Sequence, residues 1–172
     1  MKQAALVSLG LIFVLSCGRS PWRAEESRFD DLVMVQNGAL SSLAGFSPGQ
    51  PVDKLKRYFP KNGTTAEYLR KALRLGVRTG DLTLFIENNA VSQVTATFTM
   101  PAIDAKFDEF IKKILEEIAK KKPTYTSRDT QEDDKGVIVV TTFTYSDGGG
   151  TLAINYGIAN ETEKFVTLSL KR

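Results

Sequence analysis

Histidine is absent from this 172-residue chain, and cysteine and tryptophan occur once each. Without histidine the commonest general base and metal ligand are missing, and with them every Ser-His or Cys-His catalytic pairing. The single cysteine, Cys17, leaves no second thiol for an internal disulfide. A large excess of one charge is missing too: 23 Lys and Arg against 20 Asp and Glu leave +3, which is no nucleic-acid-binding composition. Apolar residues run on for long only from Ala4 to Leu15. That run is shorter than the roughly 20 residues of a membrane-spanning helix. What remains, 42% hydrophobic and 25% charged, is an ordinary globular composition for one domain.

The first seventeen residues carry the most specific signal. Lys2, the apolar run and then Ser16-Cys17 have the order of a secretory signal, with small residues at the cut. Gly18, Arg19, Ser20 and Pro21 end the run at once. Val14-Leu15-Ser16-Cys17 resembles the lipobox of bacterial lipoprotein precursors, with Val where Leu is commoner. The resemblance implies cleavage before Cys17, a diacylglyceryl group on its thiol, often further acylation with a chain such as palmitate, and export to the cell envelope. Each buried CH₂ contributes about 0.8 kcal/mol, so two or three chains hold a protein on a bilayer. Gly18 in place of Asp, by resemblance to enterobacterial lipoproteins, implies release to an outer membrane where the organism has one.

The expected organisation is therefore a signal peptide over 1–16, a lipidated Cys17 with a tether over 17–38, and one α+β domain over 39–172. Trp22 lies five residues from the anchor, where an aromatic ring suits the headgroup level. Val52, Leu55, Tyr58 and Phe59 lie at helical spacing between Pro51 and Pro60 and predict a first helix. Leu73, Leu75 and Val77 alternate with polar residues from Lys71, which favours a strand over the competing helix 65–75. Thr79-Gly80-Asp81 reads as a turn, Leu82 to Ile86 as a strand, Asn88-Asn89 as a hairpin and Val91 to Met100 as a third strand. Phe107, Phe110, Ile111, Ile114, Leu115 and Ile118 mark an amphipathic helix over about 103–121, ended by Pro123. Ser127 to Lys135 reads as a polar loop, and Val137–Tyr145, Thr151–Ile158 and Lys164–Leu170 as strands around a 146–150 hairpin.

That order predicts an α+β fold of two helix-plus-three-strand antiparallel units, a layered sheet with helices on one face. The turn-helix entry that begins at Phe46–Pro51 and the hairpin pattern Leu82-x-Leu84-x-Ile86-x-Asn88-Asn89-x-Val91 resemble small outer-membrane assembly lipoproteins of the SmpA type. No residue role is carried over from that family.

Candidate chemistry is sparse, and the chain reads as no enzyme, with no cofactor. Asp129, Glu132, Asp133 and Asp134 offer oxygen ligands for calcium, but the EF-hand spacing is missing and a solvated loop explains them. Between Pro51 and Arg78 stand Lys54, Lys56, Arg57, Lys61, Arg70, Lys71, Arg74 and Arg78 against only Asp53 and Glu67. Such a segment suits an anionic partner: lipid headgroups, an acidic protein or a polyanionic glycan. The expected function is a membrane-anchored, non-catalytic protein-interaction or scaffold module of the envelope. The alternatives are a carrier or sensor of an apolar ligand held between helices and sheet, and a hydrolase working with carboxylates.

Overall fold

A computed structural model describes residues 24–133, 136–145 and 150–171. The first 23 residues, and with them the signal, Cys17 and Trp22, lie outside the described residues.

The fold is mostly β, which overturns the expected pair of helix-plus-three-strand units. Strands β1 (Glu25–Ser27), β2 (Val33–Gln36) and β3 (Ala39–Leu43) precede the short helix α1 (Val52–Leu55). Strands β4 (Tyr68–Leu75), β5 (Arg78–Glu87) and β6 (Ala90–Pro101) follow, then helix α2 (Phe107–Ala119). Strands β7 (Tyr125–Asp133), β8 (Gly136–Thr144), β9 (Thr151–Asn160) and β10 (Glu163–Lys171) complete the chain. Eight strands form one sheet in the order β1-β4-β5-β6-β10-β9-β8-β7, antiparallel except for the β1–β4 pair, while β2 and β3 make a separate hairpin.

Three local causes explain the difference. Between Pro51 and Pro60 the backbone completes one α-turn and a 3₁₀ turn, Lys56–Tyr58, so the expected first helix never reaches a length that could cover a sheet. The expected tether folds from Glu25 onward: β1 joins the sheet, and Asn37-Gly38, both at positive φ, close the β2–β3 hairpin. The expected polar loop is β7. As the last strand in the order it is exposed on both faces, and so lacks any apolar alternation. The central part matches its reading more closely, and the competing helix 65–75 is a strand from Tyr68. Asn88 and Asn89 turn at φ 51° and 58°, the geometry of a tight hairpin. The β4–β5 turn, however, falls at Gly76-Val77, and Gly80 lies inside β5. A Cβ on Gly80 would stand 2.2 Å from the Thr97 carbonyl oxygen and 2.7 Å from the Phe98 ring. That glycine serves close packing of neighbouring strands.

Alternation divides the sheet into two faces. Leu69, Leu73, Leu82, Leu84, Val94, Phe98, Leu152, Ile154, Val166 and Leu168 are buried on the inner face. They meet Phe107, Phe110, Ile111, Ile114 and Ile118 of α2, together with Leu40, Leu43 and Phe46 around the β2–β3 hairpin. Phe110 packs edge-to-face on Phe98 and on Phe29 at centroid distances of 5.4 and 5.8 Å. The connection from β6 through α2 to β7 runs from mid-sheet to the far edge, which carries the helix across the inner face. Among the described residues, no layer covers the outer face. There Thr95 and Ser169, and Thr97 and Thr167, face each other across β6 and β10 at 3.4 and 3.2 Å.

Candidate interaction surfaces

The eight bases singled out in the sequence do not share one surface. Lys71 lies on the inner face of β4 and is 8% exposed. Its ammonium donates to Glu25 Oε2 of β1 at 2.5 Å and sits 5.2 and 4.9 Å from the ring centres of Phe46 and Phe59. This is a structural clip that fastens the first strand to the sheet edge, and it takes Lys71 out of any contact with a partner. Arg78 is likewise committed, to Asp104 at 2.5 Å, and both side chains are largely shielded. The Arg78 guanidinium, with the Lys106 backbone N–H, holds the Asp104 carboxyl below its ordinary value. Lys56 pairs with Asp53 at 3.3 Å. A hydrogen bond from the Asn89 amide, helped by Lys56, lowers the pKa of Asp53.

Five bases remain without an ion pair among the described residues: Lys54, Arg57, Lys61, Arg70 and Arg74, all exposed. Arg70 and Arg74 stand two alternations apart on the outer face of β4. Lys61 opens the 3₁₀ turn Lys61–Gly63, whose Gly63 backs directly onto the Arg70 carbonyl. Arg57 lies 4.7 Å from the ring centre of the exposed Tyr58. The sequence showed the charges, but not which of them would be consumed by the fold.

The acidic run contains no metal centre among the described residues. β7 places Asp129 and Glu132 on opposite faces, because side chains alternate along a strand. Asp134 lies outside the described residues. At the end of the sheet where β4 turns into β5, Val77 and Ile103 are 90% and 93% exposed, and the Arg78–Asp104 pair joins their two loops. Tyr145 is buried, its hydroxyl has no hydrogen-bond partner among the described residues, and burial pushes its pKa up to about 12. A groove of about 780 Å³ runs along β1, lined by Glu25, Glu26, Arg28, Met34, Gly45 and Arg74 among others.

No protein-family model, curated protein or solved structure matches the chain at a significant level.

Proposed function

We propose that the chain is a bacterial lipoprotein held on the envelope by acyl chains on Cys17, on the outer membrane where the organism has one, and that its β domain is a non-catalytic module binding another protein. The lipobox-like Val14-Leu15-Ser16-Cys17 behind a short apolar run supports the anchor. The observation that carries the binding role is the contrast between the two sheet faces. Phe98, Phe110, Ile114 and Ile118 fill the space between α2 and the inner face. That packing favours a surface contact over a carrier with a ligand between the layers. The outer face, by contrast, offers rows of hydroxyl groups, half-buried apolar side chains such as Ile138, Val140 and Phe165, and the exposed Phe85. Interfaces of standard size bury about 800 Å² per partner. Seven strands at about 4.8 Å spacing and seven residues at about 3.3 Å rise give a face of comparable area.

Photocrosslinking in the native cell tests this reading. A photoreactive residue in place of Thr167, at the centre of the outer face, is expected to capture one discrete protein. The same residue in place of Lys112, on the solvent side of α2, is expected to capture none. Capture at both sites alike, or at no outer-face position among Thr83, Thr142 and Thr167, overturns it.

A further inference from the structure

We infer that the corner of the domain formed by β1, β4 and the 54–61 turn region is a docking surface for an anionic lipid bilayer, so that the domain stands edge-on with β7 pointing away. The inference rests on the proposed anchor and adds an orientation and a lipid class to it.

Reach is the first observation. From Cys17 to residue 24 the chain counts seven residues, which at 3.3–3.6 Å each span at most about 25 Å in any conformation. β1 begins at Glu25 and is the edge strand of the eight-stranded sheet. The edge nearest the acyl chains is therefore β1 with β4 behind it. β7 ends the order seven strand positions away, a further ~33 Å.

Charge is the second, independent observation. Lys54, Arg57, Lys61, Arg70 and Arg74 are exposed, lack an ion pair among the described residues, and stand on α1, on the 3₁₀ turns that follow it or on β4. The neighbouring acids Glu25 and Asp53 are held by Lys71 and Lys56; the other exposed acids of this corner are Glu26, in register with Arg74 on the β1–β4 pair, Glu67, and Asp81 and Glu87 of β5. The distal strand carries Asp129 and Glu132 against Arg128. Tyr58, 45% exposed beneath Arg57, adds an amphipathic ring of the kind favoured at headgroup level. A basic corner on the tether side and an acidic far edge are what a negatively charged surface selects, since each Lys or Arg near such a surface is attracted and each acid repelled.

The test uses the full lipidated protein and exploits its single cysteine. With Cys17 acylated, a thiol-reactive fluorophore goes only onto an introduced Asn62→Cys or Gln131→Cys. In vesicles of 30% phosphatidylglycerol doped with a headgroup quencher, the fluorophore at 62 is expected to be quenched and that at 131 not. Quenching at 62 is expected to fall about tenfold in Arg70→Glu/Arg74→Glu and to vanish in 1 M salt, where the Debye length is about 3 Å. Equal quenching at 62 and 131, or quenching at 62 that is the same in pure phosphatidylcholine, overturns the docking. Failure of the anchor has a separate signature: the parent protein then takes up dye at Cys17 and does not float with phosphatidylcholine vesicles. In that case docking still requires flotation with the anionic vesicles and quenching at 62 over 131, and falls without them.

Discussion

Breaking the Lys71–Glu25 clip from its two ends should give unequal results. Glu25→Gln leaves the Lys71 ammonium, 7% exposed in its side chain, with no countercharge. Removing one partner of a buried pair costs about 3–5 kcal/mol. Glu25 is 26% exposed, so its own solvation moderates the loss, and the two phenylalanine faces retain part of the attraction for the cation. The expected cost is near the lower bound, about 3 kcal/mol. Lys71→Met instead removes the buried charge, fills the space between Phe46 and Phe59 and lets Glu25 turn to water. Its expected cost is about 1 kcal/mol or less, because apolar replacement of a buried ionic group is often neutral. The double variant Glu25→Gln/Lys71→Met should be close to Lys71→Met alone, giving a coupling of about 3 kcal/mol in a double-mutant cycle. Urea unfolding reads this directly: with a slope of about 2 kcal/mol per molar, Glu25→Gln lowers the midpoint by about 1.5 M. Additive effects, or a Lys71→Met loss equal to that of Glu25→Gln, would refute the reasoning.

Three further outcomes are expected. Ile114→Ala, 1% exposed between α2 and the sheet, should cost about 3 kcal/mol by denaturant unfolding; a loss below about 1 kcal/mol would mean that the helix is not seated on the inner face. Gly80→Ala should destabilise by about 2–3 kcal/mol, since its Cβ meets the Thr97 carbonyl oxygen and the Phe98 ring; a neutral result would contradict the strand register. Asp104 has a lowered folded-state pKa, so its contribution is present above the unfolded value of about 3.9 and is lost as pH falls through the folded one. The urea midpoints of the parent and Asp104→Asn should therefore differ at pH 7 and converge as pH falls through the lowered folded-state pKa, and a constant gap would count against the Arg78 pairing.

The parts of the fold legible in the sequence were those with one buried face. α2 showed its stripe because it lies on the core by Phe107, Phe110, Ile111, Ile114 and Ile118. β6 and β10 showed period-two burial because α2 and the hairpin cover only one side. β7 was illegible since neither of its faces is covered, so no pattern distinguishes it from a loop. The β2–β3 hairpin had a local signal in Asn37-Gly38 between short apolar stretches, which the charged residues before it obscured. The expected first helix failed because Val52 and Phe59, both buried, satisfy helical spacing and a turn equally well. Among the candidate residues, the positions of the charges were readable and their partners were not. Glu25 and Lys71 are 46 residues apart, and no local pattern records such a pairing.

The central claim is the anchor on Cys17, and metabolic labelling with radioactive palmitate tests it most directly. Label should enter the wild-type protein and be absent from Cys17→Ser. Equal labelling of the two, or no label in either, would contradict the account.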